Sequence, residues 1–214
     1  MSTFLIASSF LLLGIYLISR FLRNVQPSDA EIEEDTKILS QQLEKFRDGF
    51  VDWTDDISSN TLNQILSKSN SKQYEGVFLS NNNEPVFAYA VKKYIAPGRN
   101  ELIYILSQDN EYIFRITNKG TEININGERA GIIRENGYYY DNRNREIAQL
   151  KKNKAKGFNT ILMEDKAVAK IALPDKVSVS ALTLEHEDIE TAQKDIIRTY
   201  AIYDMVQNIS LKKG

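Results

Sequence analysis

The chain carries its clearest structural signal at residues 122–134, which read Glu122-Ile-Asn-Ile-Asn-Gly-Glu-Arg-Ala-Gly-Ile-Ile-Arg134. Apolar and polar residues alternate before Asn126-Gly127, and an apolar run follows it, which predicts a pair of strands. Asn-Gly favours the type I′ hairpin turn, because both central residues of that turn need positive φ. The stretch therefore predicts two antiparallel strands, over 121–125 and 129–134.

The same pattern of short apolar runs and turn residues extends in both directions from this hairpin. It predicts an antiparallel meander, with strands over 74–80, 85–94, 101–107, 111–117, 121–125, 129–134, 137–140, 145–150, 157–163, 166–172 and 177–184. Unpaired strand edges invite aggregation, and closing a long meander into a barrel removes them. The predicted fold is therefore mainly β, with a closed antiparallel β-barrel.

The last element has a helical pattern, from Asp188 to about Ile209. Its second half is apolar around the whole circumference, which is typical of a buried helix. This apolar half is too short to span a membrane, and Arg198 and Asp204 add charges that a bilayer would not accept. The barrel is therefore predicted to enclose the helix. Asp204 is then a structural buried charge, for which an arginine or backbone amides are the expected partners.

Together these elements resemble the tubby-like superfamily, which includes tubby C-terminal domains, phospholipid scramblases and LURP-one-related proteins of plants. The resemblance covers about residues 74–209 and depends on the hairpin 122–134, the hairpin Tyr138-Tyr-Tyr-Asp-Asn-Arg-Asn-Arg-Glu-Ile147 and the terminal run Tyr200-Ala-Ile-Tyr-Asp-Met-Val206. It implies a membrane-associated domain that binds lipid, in some members phosphoinositides, or serves as a scaffold. The chain lacks the cysteine cluster, proline-rich tail and acidic calcium loop of animal scramblases, so the resemblance does not extend to calcium-driven scrambling.

An uncharged, mostly apolar run opens the chain, from Ser2 to Ser19. As a helix it would extend for roughly 27 Å, close to the thickness of a bilayer core. A signal peptide is the alternative, but no basic residue precedes the run and no small-x-small cleavage site ends it. The sequence therefore predicts a transmembrane anchor over 1–24 that contacts the bilayer through residues 2–19. Arg20 and Arg23 follow the run, which predicts a single-pass protein with its C-terminal domain in the cytoplasm.

A helical connector is predicted over 25–72, ahead of the barrel domain at 73–214. Its helix begins near Ser28 or Asp29 and carries an apolar heptad seam at Ile32, Thr36, Leu39, Leu43, Phe46, Phe50 and Trp53. Such a seam can mediate self-association or bind a protein partner through the 29–53 helix, or it can pack the helix on its own domain. Packing on its own domain is favoured, because Gly49 interrupts the seam. A further short helical pattern at 62–66 and a polar linker at 67–72 complete the connector.

The composition offers no support for enzymatic activity. The chain has no cysteine and one histidine, His186, with 27 basic and 29 acidic side chains. Thiolate nucleophiles and cysteine-ligated metals are excluded, and no catalytic triad or phosphate-binding glycine loop is present. His186, flanked by acidic residues, is interpreted as a solvated residue at a helix start. No catalytic residue, metal site or cofactor is predicted. If the protein were an enzyme, the sequence offers only Asp204 as a carboxyl group with a shifted pKa.

The densest basic cluster is predicted to bind lipid phosphate. It comprises Arg143, Arg145, Lys151, Lys152, Lys154 and Lys156. A solvated loop is the alternative, and Lys92 and Lys93 would extend the cluster if the fold brought them near. Tyr138, Tyr139 and Tyr140 are interpreted as core and rim residues of a strand rather than as a stacking platform. Nucleic acid is not an expected partner, because the domain is nearly neutral.

The sequence therefore predicts a non-catalytic, membrane-tethered tubby-like domain. It would contact anionic phospholipid or hold another protein at the membrane. The alternative is a structural accessory subunit of a larger membrane protein complex, with no ligand of its own.

Overall fold

The protein is described by a computed structural model, which covers residues 11–19, 25, 27–53, 62–70, 72–80, 82–95, 98–153, 155, 157–173, 182–185 and 189–211, with backbone only for 62–70, 210 and 211. Twelve antiparallel strands of these residues form one sheet, in the order of the chain. The strands are β1 (Leu62–Asn70), β2 (Gln73–Leu79), β3 (Pro85–Lys93), β4 (Glu101–Ser107), β5 (Glu111–Thr117), β6 (Gly120–Ile125), β7 (Glu128–Ile133), β8 (Tyr138–Asp141), β9 (Glu146–Lys151), β10 (Phe158–Met163), β11 (Lys166–Ala172) and β12 (Leu182–Leu184). The helices are α1 (Asp29–Leu43), a 3-10 helix (Glu44–Gly49) and α2 (Thr191–Leu211).

The predicted strands from 74–80 to 166–172 are confirmed, and their ends differ from β2–β11 by one residue at most. The central hairpin has the predicted turn, with φ of 52° at Asn126 and 82° at Gly127. Local turn chemistry and apolar patterning therefore determine most of the sheet.

Residues 62–70 form β1, so the prediction of a short helix followed by a linker is wrong. This strand pairs with β2, from Leu62 opposite Leu79 to Asn70 opposite Gln73. Its residues do not alternate between apolar and polar, and strand formation here depends on a neighbouring strand rather than on local preference. The helical connector accordingly ends at Gly49 in the part of the chain that the structure describes.

The predicted closed barrel is also wrong, because the sheet is open. Among the residues described, β1 pairs with β2 alone and β12 with β11 alone. β12 has three residues, which cannot form a ladder along the nine residues of β1. The interior is filled by a helix, so the apolar face is buried without a hydrogen-bonded closure of the sheet.

The predicted transmembrane helix is not found: no helix within the described ranges is both long and apolar enough to span a bilayer. Residues 11–19 are helical, whereas residues 1–10 and 20–24 of the predicted anchor lie outside the described residues. Seven large apolar side chains between Leu11 and Ile18 are exposed, each by 51–66%.

The main core lies between the sheet and α2. Buried side chains of every strand from β2 to β12 share one cluster with this helix. Ile197, Tyr200, Ala201 and Val206 of the helix are completely buried. This burial on all sides confirms the prediction that the final helix is enclosed by the protein, and it explains why its apolar residues cover the whole circumference.

A second core lies on the outer face of the sheet, where α1 covers β3 and β4. Leu39 and Leu43 of α1 pack there in one buried cluster with Leu102 and Tyr104 of β4. The interpretation in which the seam helix packs on its own domain is thus confirmed for these two residues. Because β3 and β4 are covered on both faces, their apolar residues run continuously rather than alternating.

Candidate anion-binding site

One end of the sheet holds a cavity of about 720 Å³, a volume within the usual range of small-molecule sites. Alternate turns of an antiparallel meander fall at the same end of the sheet. The segment before β4, the β5–β6 turn, the β7–β8 turn and the residues after β9 therefore meet around this opening. Tyr200 and Tyr203 of α2 form its floor.

The cavity is lined mainly by basic charges. Arg99, Arg134, Lys151 and Lys152 line it, and Glu135 is the one acidic residue among its described lining. Arg99 precedes β4, whereas the lysines end β9, so the cations come from well-separated parts of the sheet. Such a concave basic surface concentrates anions, because low-dielectric walls focus the field into the opening.

Two guanidinium nitrogens of Arg99 have no hydrogen-bond partner among the described residues. Its backbone N–H donates to Asn118 Oδ1 at 2.9 Å, which fixes the segment before β4. Its Nε lies 3.9 Å from Glu101 Oε1, close enough for an ion pair but too far for a hydrogen bond. Nε and Nη2 are buried atoms without a hydrogen-bond partner among the described residues. Buried donors of this kind favour an oxyanion as partner.

The β7–β8 turn supplies the second arginine and a required glycine. The guanidinium of Arg134 lies 4.5 Å from the centre of the Tyr140 ring, and its Nη2 donates to Asn144 Oδ1 at 3.3 Å. Gly137 has a φ of +81°, and a Cβ there would approach the carbonyl oxygen of Leu150 to 2.6 Å. Only glycine therefore fits at this point of the rim.

The floor of the cavity is neutral and fully hydrogen-bonded. The hydroxyls of Tyr203 and Thr121 lie 2.9 Å apart, and the hydroxyl of Tyr200 donates to the carbonyl oxygen of Gly137. Burial raises the pKa of both tyrosines above the ordinary value. Both rings therefore stay protonated near neutral pH and add no negative charge to the cavity.

Asp204 follows Tyr203 on α2 and is 2% exposed, which confirms its predicted burial. Its Oδ2 accepts hydrogen bonds from Asn159 Nδ2 at 2.8 Å and from Asn208 Nδ2 at 3.0 Å. The expected arginine or backbone-amide partner is therefore wrong, since two side-chain amides take that role. Burial raises the pKa of Asp204, against the opposing effects of the Asn159 hydrogen bond and the Lys152 charge.

The structure divides the basic cluster that the sequence predicts. Lys151 and Lys152 line the cavity, whereas Arg143 and Arg145 lie in the β8–β9 turn at the opposite end of β9. The length of β9 separates the two groups by about 20 Å, at ~3.3 Å per residue. Arg145 Nη2 is 2.7 Å from Asp141 Oδ2 within that turn. Lys154 and Lys156 lie outside the described residues.

Lys92 and Lys93 do not extend the cavity. Lys92 Nζ is 2.6 Å from Asp35 Oδ1, and the hydroxyl of Tyr94 donates to Asp35 Oδ2 at 2.7 Å. Asp35 is 1% exposed, so this pair fastens α1 to the sheet. Lys93 Nζ lies 6.0 Å from the centre of the Tyr74 ring.

The three consecutive tyrosines of β8 behave as strand residues. Tyr139 is 3% exposed, and its ring centre is 5.8 Å from that of Tyr200. Its role in the core is therefore confirmed. The rings of Tyr138 and Tyr140 lie 6.4 Å apart and are partly exposed. His186 lies outside the described residues.

Sequence reasoning missed Arg99 and Arg134, because each is isolated in the sequence. The signal that could have identified them is whether the neighbouring turn follows an odd-numbered or an even-numbered strand. In a meander the turns after β3, β5, β7 and β9 share one end, and both arginines adjoin such turns. Arg143 and Arg145 lie in the turn after β8, an even-numbered strand, and therefore at the other end of the sheet.

Comparison with known proteins identifies no relative of this chain: no family model, no curated protein and no solved structure matches it. The site is accordingly defined by its own geometry, as a basic cavity at one end of a twelve-stranded sheet that is filled by a helix.

Proposed function

We propose that this protein is a non-catalytic, membrane-attached domain of tubby-like character whose basic cavity binds the phosphate of an anionic phospholipid. The observation that carries the proposal is the set of three basic residues, Arg99, Lys151 and Lys152, around an opening with one acidic residue in its described lining. The guanidinium of Arg134, a fourth lining residue, is engaged by Tyr140 and Asn144. Cationic donors above a neutral, hydrogen-bonded floor suit a phosphodiester, which has charged oxygens and no proton to release near neutral pH.

The position of the N-terminal apolar helix supports a lipid as the source of the phosphate. Asn100 Nδ2 donates to the carbonyl oxygen of Val25 at 3.4 Å, and Asn100 adjoins Arg99 of the cavity. Ser19 is six residues from Val25, a distance of at most about 22 Å. A short stretch of chain therefore links the exposed apolar residues 11–18 to the cavity end of the molecule, a link that would let both meet the same lipid surface.

The test compares the binding of the full-length chain to phosphatidylcholine vesicles with and without phosphatidylglycerol. We expect tighter binding to the anionic vesicles, with a difference that shrinks as salt increases. Arg99→Gln and Lys152→Gln should each weaken the anionic preference about fivefold, since one basic residue near an anionic surface contributes about 1 kcal/mol.

Arg143→Gln is the matched control, because it removes an exposed arginine from the opposite end of β9 and should leave the preference unchanged. Water-soluble dibutanoyl phosphatidylglycerol and inorganic phosphate then separate a lipid head group from free phosphate. Equal losses for Arg143→Gln and Lys152→Gln would indicate a diffuse charge effect and contradict a cavity site.

A second candidate is a structural accessory subunit that uses the exposed apolar residues 11–18 to contact a protein in the membrane. It predicts stoichiometric co-purification of a partner in mild detergent and no preference for anionic vesicles. The vesicle comparison therefore distinguishes the two functions.

A further inference from the structure

A chain of hydrogen bonds connects α2 with the lysine side of the cavity. The backbone N–H of Asn153 donates to Asn159 Oδ1 at 3.2 Å, and Asn159 Nδ2 donates to Asp204 Oδ2 at 2.8 Å. Asn153 directly follows Lys152, and both line the cavity. The single amide of Asn159 therefore joins a carboxylate in the core to the backbone that presents a cavity lysine.

Among the described residues, the groups that act on Asp204 are one cation and otherwise uncharged side chains. Lys152 acts on it from the segment after β9, Asn159 from β10, and Tyr200, Tyr203 and Asn208 from its own helix. Both of its hydrogen bonds come from neutral amides. When ionised, Asp204 is thus a negative charge behind a cavity that otherwise attracts anions, and the charge of Lys152, a lysine of that cavity, acts on it.

We propose that Asp204 is a positioning residue of the anion cavity and that its ionisation controls how tightly phosphate binds there. This inference rests on the proposed function. Asp204 holds the corner at Lys152 and Asn153 through Asn159, in either charge state. Its negative charge attracts Lys152 and opposes a bound phosphate, whereas its protonated form leaves the lysine charge to the ligand.

The direction of the pH dependence follows from linkage. Burial raises the pKa of Asp204 above the ordinary value, so protonation occurs at a higher pH than for an exposed carboxyl. Phosphate binding should tighten as the pH falls through that pKa, and a bound anion should raise the pKa further, with uptake of a proton. A phosphodiester keeps one charge throughout this range, so the ligand adds no titration of its own.

The experiment titrates dibutanoyl phosphatidylglycerol into the full-length chain in uncharged detergent, by calorimetry, at several values between about pH 5 and pH 8. Wild-type affinity should rise at least about fivefold toward low pH, the lower end of couplings between linked sites. Asp204→Asn retains the acceptor oxygen for both amides and should bind at every pH as tightly as the wild type does at low pH. His186→Gln is the control for the one histidine and should retain the dependence.

Asn159→Ala tests the positioning role, because it breaks the connection while Lys152 remains. We expect weaker binding at every pH, by about fivefold, the typical net contribution of one hydrogen bond. A wild-type affinity that does not vary with pH would overturn the inference, and so would a dependence that persists in Asp204→Asn. If Asp204→Asn fails to fold, His186→Gln decides instead: loss of the pH dependence of binding in that variant would overturn the inference. Absence of binding at any pH would instead contradict the proposed function itself.

Discussion

Three features constrain the residue at position 137, a glycine at the rim of the cavity. Its φ is +81°, a Cβ would lie 2.6 Å from the Leu150 carbonyl oxygen, and its own carbonyl oxygen accepts the hydroxyl of Tyr200. Gly127 has the same backbone conformation, with a φ of +82°, but nothing within 4 Å of a Cβ. The two glycines therefore separate the cost of backbone conformation from the cost of steric contact.

We expect Gly137→Ala to lower the free energy of unfolding by about 3 kcal/mol, because left-handed strain and a backbone clash add together. Gly127→Ala should cost about 1 kcal/mol, since it meets only the strain. Urea unfolding of both variants measures the difference. Equal losses would show that the Leu150 carbonyl moves aside freely and that the rim is not rigid.

Single residues of the site differ in how far the sequence predicted them. Lys152 was predicted because it belongs to a dense local run of lysines, and Asp204 because a carboxylate in an apolar helix is conspicuous. Asn159 was not predicted as a partner of Asp204, since it is distant in sequence and ordinary in its own strand. Partners across the sheet depend on strand register, which a single sequence does not state.

Among the elements, α1 provides a direct test of the outer core. Leu39 is 1% exposed, whereas its neighbour Ile38 is 42% exposed on the same helix. Leu39→Asp places a carboxylate against β3 and β4 and should lower the free energy of unfolding by more than about 3 kcal/mol. Ile38→Asp should change it by less than about 1 kcal/mol.

Urea unfolding followed by tyrosine fluorescence checks the pair. A Leu39→Asp variant as stable as Ile38→Asp would mean that the sheet does not need α1 on its outer face. The apolar seam would then be available to a partner, as in the alternative interpretation of the heptad pattern.

The elements show which sequence signals determine structure locally. Hairpins such as β6–β7 were predicted to within a residue, because Asn126-Gly127 specifies the turn and the residues before it alternate. β1 was missed, because its residues have neither signal and it forms by pairing with β2. The open sheet was missed for a different reason: closure depends on how the two ends of the whole sheet meet.

For the molecule as a whole, α2 supplies the interior of the sheet. A chain that ends at Glu190 lacks this helix and leaves apolar residues of β2–β12 without their partner. We expect this variant to lose cooperative thermal unfolding and to bind the dye ANS, because fixed packing of the sheet interior would be lost. A chain that ends at Leu211 is the control and should unfold like the wild type. Cooperative unfolding of the shorter chain near the wild-type midpoint would contradict a core that depends on α2.

The order of the elements has a consequence for biosynthesis. All twelve strands precede α2 in the chain, so they are synthesised before the helix that fills their interior. Each hairpin can pair with its predecessor as it emerges, since neighbours in the sheet are neighbours in sequence. Until α2 docks, the nascent protein therefore holds an unfilled apolar interior, and a chaperone that shields this interior would act before the helix packs into it.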